Sequence, residues 1–113
     1  MSQITTHVLD TTRGRPAPGV PVALSRQASS GWETLGTGTT DSDGRIADLL
    51  DADLALTAGC YRMHFDTRHY FDSLGESCFY PEVDIVFLID AGGAHYHIPL
   101  LLAAYGYSTY RGS

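Results

Sequence analysis

The chain has 113 residues, 43% of them hydrophobic and 18% charged, the size and composition of one globular domain with a core of its own. Thirteen acidic against seven basic residues give a net charge of −6, which excludes the clustered cations that a nucleic-acid partner requires. There is no lysine, so all fixed positive charge is carried by arginine, whose planar fork suits bidentate recognition of a polar ligand.

Residues 1–6 carry neither a basic stretch nor an apolar run, so they are not a signal peptide, and the longest apolar segment, 98–104, is too short to cross a bilayer. The chain does not end in Ser-Lys-Leu. A cytoplasmic protein with no membrane partner is the expectation. Cys60 and Cys78 fit no metal-ligand spacing; two reduced thiols are expected, with a disulfide between them as the alternative.

A β-branched run predicts a first strand over residues 3–9, followed by a loop over 11–19 that is dense in Gly and Pro. A second strand is expected over 20–26, where Pro21 stands near the start and its missing N–H is tolerated. A polar turn over 27–31 leads to a third strand over 32–40. Asp41-Ser42-Asp43-Gly44 reads as a tight turn, with Arg45-Ile46 opening a short fourth strand. Residues 49–58 fit a helical turn or an irregular loop. Residues 60–65 alternate, with Tyr61, Met63 and Phe65 facing inward. One helix is expected over 66–75, capped by Asp66, striped by Tyr70, Phe71 and Leu74 and ended by Gly75. Strands over 83–89 and 95–102 flank a turn at 90–93, and residues 105–113 alternate as a last strand. Seven or eight short strands at hairpin spacing with one helix predict an all-β antiparallel sandwich forming a single domain, 1–113.

The two-residue period separates the faces of two of these strands. Tyr96, Ile98, Leu100 and Leu102 form a core face, which turns His95, His97, Pro99 and Leu101 outward. In the first strand Thr6 and Val8 face the core, so Thr5, His7 and Leu9 face outward. Outer faces that mix histidine with Leu and Pro are too apolar for solvent and point to a subunit interface or a pocket. A homo-oligomer with His7 and His97 at the contact follows. Pro99 cannot donate to a ladder, so its strand is expected to be bulged there or to lie at an edge.

His95-x-His97 has the spacing of a metal pair that His7 could complete, but no acidic partner is evident, so no metal is assigned. Asp41-Ser42-Asp43-Gly44 lacks the distal glutamate of a calcium loop and reads as a turn. Neither Ser108 nor Ser113 lies in a Gly-x-Ser-x-Gly elbow. What remains is general acid–base chemistry. Histidine exchanges protons near neutral pH, and an arginine beside it can hold developing negative charge. Together they suit direct attack of water on an activated carbonyl without a cofactor. The closing residues Tyr110-Arg111-Gly112-Ser113 offer a phenol, a guanidinium and a hydroxyl, either as a ligand-binding set or as a solubilised edge strand.

Four motifs together resemble the 5-hydroxyisourate hydrolases of the transthyretin-like protein family. They are Thr6-His7-Val8-Leu9-Asp10, Asp43-Gly44-Arg45, the run from His95 to Leu102, and the terminal Tyr110-Arg111-Gly112-Ser113. The resemblance spans essentially the whole chain, and the terminal tetrapeptide sets such enzymes apart from transthyretin, the hormone carrier of the same fold. It implies a transthyretin-like β-sandwich assembled as a homotetramer, a dimer of dimers, with sites at the dimer–dimer interface. His7, Arg45 and His97 match the family's catalytic positions, and Tyr110, Arg111, Gly112 and Ser113 match its substrate pocket. The implied reaction is cofactor-free hydrolysis of 5-hydroxyisourate to 2-oxo-4-hydroxy-4-carboxy-5-ureidoimidazoline, a step of urate (purine) catabolism. A non-catalytic carrier of a small aromatic ligand is the alternative. Ala103-Ala104 depart from the Ser-Pro frequent in the family before the last turn, at no matched site residue.

Overall fold

Alternation of buried and open side chains along each strand sorts the chain into two sheets with one core between them. The computed structural model describes residues 3–51, 54, 56–90 and 94–112. The strands are β1 (Ile4–Asp10), β2 (Arg15–Pro16), β3 (Pro21–Ala28), β4 (Gly31–Thr39), β5 (Gly59–Phe65), β6 (Val83–Ile89), β7 (Tyr96–Ala103) and β8 (Gly106–Thr109), with one helix, α1 (Thr67–Ser73), between β5 and β6. One sheet has the order β2-β1-β7-β8 and the other β4-β3-β5-β6. Val8, Leu100 and Leu102 from the first meet Leu24, Met63 and Phe65 from the second, all with at most 1% of their surface exposed. The predicted all-β sandwich with one short helix is the architecture found.

Four local expectations change. All strand pairs are antiparallel except β1 and β7, which run parallel from Ile4↔Tyr96 to Asp10↔Leu102. Their partners lie some ninety positions apart, so no turn signal could have announced the pairing. The loop over 11–19 contains β2, folded back on β1 through Leu9↔Pro16 and Asp10↔Arg15. Arg45-Ile46 does not open a strand; Arg45 makes only an isolated bridge to His7. The last strand stops at Thr109, well short of the chain end.

Pro99 accounts for that early stop. Its strand is interior, not an edge, and its face of the backbone looks toward β8. The β7–β8 ladder ends at Leu100↔Thr109, beside the missing N–H, and the Pro99 carbonyl instead accepts the Thr109 hydroxyl at 2.6 Å. Pairing resumes two residues further along β7, where the Gly112 N–H donates to the His97 carbonyl at 2.8 Å.

The stretch 49–58 takes the irregular alternative among its described residues, yet it buries Leu49, Leu50 and Leu56. The expected turn at 90–93 lies mostly outside the described residues, as does Ser113. Helix α1 is capped as expected: the Asp66 carboxylate accepts the His69 N–H, and Tyr70 and Phe71 are buried. Gly75 follows with φ of 69°. Cys60 and Cys78 are free thiols.

One buried carboxylate ties the helix to β1. Asp10, 1% exposed, accepts the Tyr70 hydroxyl at 2.6 Å and both the backbone N–H and the guanidinium of Arg13, which also pairs with Glu76. Burial alone would push the Asp10 carboxyl up, but the Tyr70 and Arg13 hydrogen bonds outweigh it and hold the carboxyl below its ordinary value. Burial and the same hydrogen bond push the Tyr70 phenol up to about 12. The stabilisation is present above the unfolded carboxylate value and is lost as pH falls through the lower folded value. Tyr70→Phe should cost about 1.5–3 kcal/mol in denaturant unfolding at neutral pH. The gap to the parent should close on acidification, as Asp10 takes up its proton.

Candidate functional site

The parallel register of β1 on β7 builds one wall of the site. Thr5 stands opposite His97 and His7 opposite Pro99, all with side chains on the outer face of the sheet. His97 and His7 are half-buried there, as the two-residue period predicts. The Thr5 hydroxyl oxygen lies 2.8 Å from His97 Nδ1 and 3.1 Å from Nε2 of His95, which is exposed. One hydroxyl thus joins both imidazoles. The nitrogens that His95 and His97 turn on Thr5 are thereby engaged by a hydroxyl.

Arg45 reaches this wall through a turn. Asp41 Oδ1 accepts the backbone N–H of Asp43 at 2.8 Å and of Arg45 at 3.1 Å, and the Asp41 N–H donates to the Arg45 carbonyl. The Asp41 carboxylate serves the turn, as the absence of a distal glutamate suggested. Gly44, with φ of 74°, lets its carbonyl accept the Val8 N–H at 2.8 Å; a Cβ there would meet the Val8 oxygen at 2.3 Å. The turn is therefore pinned to β1 and delivers Arg45 beside His7. A pocket of about 650 Å³ opens here, with Thr5, Asp41, Arg45, Asp48, His95 and His97 in its lining.

His97 is held below the ordinary histidine range, first by burial and then by the positive charges of Arg45, His7 and His95. The ring is thus neutral at neutral pH and able to accept a proton. The tail closes its other side. Gly112 packs so tightly that a Cβ would lie 2.5 Å from His97 Cδ2. The Arg111 guanidinium sits 4.6 Å above the Tyr96 ring, and Tyr110 is exposed. Tyr110 and Arg111 line a second pocket of about 330 Å³ with Ile85, Phe87 and Ile98.

Of the residues singled out from sequence, Arg45 and His97 line one pocket, Gly112 packs on His97, and His7 bridges Arg45 through the backbone without lining either pocket. Tyr110 and Arg111 open into the neighbouring pocket, which meets the first at His97, and Ser113 lies outside the described residues. Thr5 was read only as outward-facing; its cross-strand pairing was the missing signal. On the opposite sheet His64, Glu82 and Asp84 gather ligand atoms within 4.8 Å, but His64 already bonds Asp84 at 2.6 Å. Arg62 Nε stands 3.9 Å from the same carboxylate, and that cation opposes a metal ion.

Two four-stranded sheets thus carry a cluster of histidine and arginine on the outer face of one of them. The HIUase/Transthyretin family model matches residues 4–112, and the chain belongs to that family. It is 48% identical over 110 residues to the 5-hydroxyisourate hydrolase of Salmonella dublin, covering 97% of this chain and 80% of that one. Among solved structures it is similar to Klebsiella pneumoniae 5-hydroxyisourate hydrolase, with a TM-score of 0.84 and 42% identity over 100% of this chain and 94% of that one. Transthyretin from Sparus aurata superposes with a TM-score of 0.91 at 32% identity, covering 99% and 97% of the two chains. Backbone shape leans toward the transthyretin and sequence toward the hydrolases. The fold alone therefore does not separate the two activities, and the residues on the outer face must.

Gly112→Ala offers a direct check on the site's packing. The added methyl should displace the His97 ring, changing its imidazole ¹⁵N–¹H correlations while the circular dichroism of the fold stays as in the parent.

Proposed function

We propose that this protein hydrolyses 5-hydroxyisourate to 2-oxo-4-hydroxy-4-carboxy-5-ureidoimidazoline, a step in urate breakdown. The observation that carries the reading is the convergence of His97, His7 and Arg45 on one outer sheet face, in a chain 48% identical to a hydrolase of that name. No cofactor is required by this chemistry. Neutral His97 takes a proton from water as the water oxygen attacks the ring amide carbonyl. Arg45 holds the charge on the oxyanion, and removal of such a donor typically costs about 10²–10³ in kcat. His7 then gives a proton to the leaving nitrogen as the carbon–nitrogen bond breaks, releasing the new carboxylate. Tyr110, Arg111, Gly112 and Ser113 hold the ligand's polar edge, Gly112 by keeping the His97 ring in place.

The working form is a homotetramer, a dimer of dimers with sites at the dimer–dimer interface. Edge strands β6 and β8 line one pocket together, and the loop before β6 meets the β7–β8 end through the Tyr80–Tyr107 ring contact and the Phe79 N–H on the Ala104 carbonyl. Val86 and Leu88 on β6 are 57% and 74% exposed, an apolar edge that a second copy would cover. Packing of a further dimer on the histidine face would close the two pockets that meet at His97 into one channel. The free thiols of Cys60 and Cys78 support a reducing, cytoplasmic setting. Among the described residues no helix is long and apolar enough to cross a membrane.

Ultraviolet absorbance of freshly generated 5-hydroxyisourate tests the reading: the protein should speed its loss over spontaneous decay. His97→Ala and His7→Ala should each lower kcat by about 10²–10⁴-fold. Parental turnover in both would overturn the mechanism, and an unaccelerated decay with tight ligand binding would favour the carrier. Because base catalysis needs neutral His97, the acid limb of kcat/KM should fall below the ordinary histidine value of about 6.5. Arg45→Met removes a charge that depresses His97, so that limb should move to higher pH.

A further inference from the structure

We propose that Thr5 and His95 form a hydroxyl relay that sets the tautomer of His97 and carries its proton to solvent. The inference deepens the hydrolase reading and rests on it. Its basis is the position of the Thr5 oxygen, 2.8 Å from His97 Nδ1 and 3.1 Å from His95 Nε2. A hydroxyl has one proton, so it can donate to only one of the two rings and must accept from the other. The two imidazoles are therefore coupled. When His97 Nδ1–H donates to Thr5 and the Thr5 O–H donates to His95 Nε2, the lone pair of His97 Nε2 is free to act as base. When the hydroxyl turns, His97 Nδ1 becomes the acceptor and Nε2 carries the proton.

The proton balance closes without a further reactant. As His97 Nε2 takes a proton from the attacking water, the ring becomes an imidazolium in a site that disfavours one. Its Nδ1 proton passes to the Thr5 oxygen, and the hydroxyl proton passes to His95 Nε2. His97 is left neutral with Nε2–H, Thr5 is neutral, and the charge rests on His95. That ring is exposed and sheds its Nδ1 proton to water. The base is restored when His97 Nε2–H passes its proton to water while the relay runs in reverse, His95 retaking a proton at Nδ1 and returning its Nε2 proton through Thr5 to His97 Nδ1. The surroundings of His97 favour this direction. His7 faces it from β1, Arg45 from the turn with Asp41 and Asp48 in the same lining, His95 from the residue before β7, and Arg111 lies on the tail beside it. Thr5 is a positioning residue under this scheme. It is held by its β1 register opposite His97 and acts through that ring.

The test compares Thr5→Val, which keeps the shape and deletes the hydroxyl, with Thr5→Ser, which keeps the hydroxyl. Imidazole ¹⁵N shifts of His97 in the ligand-free protein give a readout independent of turnover. The parent should show Nδ1 engaged and a defined tautomer, Thr5→Val a tautomer mixture, and Thr5→Ser the parental pattern. With 5-hydroxyisourate, Thr5→Val should lower kcat by about 10–100-fold with KM within about twofold, and Thr5→Ser should restore most of it. His95→Ala should lower kcat and regain it on addition of imidazole, which a purely structural role would not produce. Unchanged His97 shifts in Thr5→Val, parental kcat in that variant, or equal losses in the Val and Ser variants would each overturn the relay. If the parent itself fails to accelerate decay, the hydrolase reading falls, while the ¹⁵N shifts still decide whether Thr5 sets the tautomer.

Discussion

Everything at the candidate site depends on the parallel pairing of β1 with β7. Seven consecutive residues are locked in register, from Ile4↔Tyr96 to Asp10↔Leu102. A one-residue slip would turn every side chain to the other face, burying the histidines and exposing Val8 and Leu100. The apolar residues thus protect the register energetically, and the register fixes the polar ones. Thr5 meets His97 because Ile4, Thr6 and Val8 need the core.

The same economy of backbone explains how Arg45 and the tail arrive. Neither belongs to a strand that could hold it by a ladder. Arg45 depends on the Asp41 turn and on a glycine that brings its carbonyl to Val8; Gly112 depends on its bond to His97 and on the absence of a side chain. Pro99 links the two ends of this arrangement. It releases β8 from the ladder, so that the tail can leave the sheet and return at His97. An interior proline, unfavourable in most sheets, here makes room for the tail's change of course.

Much of this was readable from residues alone. Period-2 alternation placed His7 and His97 on the outer face, the cap and Gly75 bounded the helix, and the Asp-Ser-Asp-Gly turn was recognised by its composition. What resisted reading is what sequence neighbours do not encode. The β1–β7 pair joins segments ninety positions apart, so the Thr5–His97 contact had no local sign, and Pro99 seemed to demand an edge or a bulge. Arg45-Ile46 follows a tight turn as a hairpin strand would, yet Arg45 makes one isolated bridge without a ladder. Asp10 stands just past the predicted strand, yet it ends β1 and its carboxylate is the hub that joins β1 to α1.

A sandwich shared by carriers and hydrolases acquires chemistry by what it places on one face. Here that face brings Arg45, His7 and His95 around a ring whose burial already disfavours charge. A charge on His97 is costly there, since burial and the neighbouring Arg45 both oppose it. The cost is offset when negative charge develops between them, as on a carbonyl oxygen under attack, where fixed donors need not reorganise. A carrier of an apolar aromatic ligand would gain nothing from keeping His97 neutral by surrounding it with positive groups. Under the proposed mechanism a proton is taken up at that ring and an anion forms beside it, where Arg45 already stands.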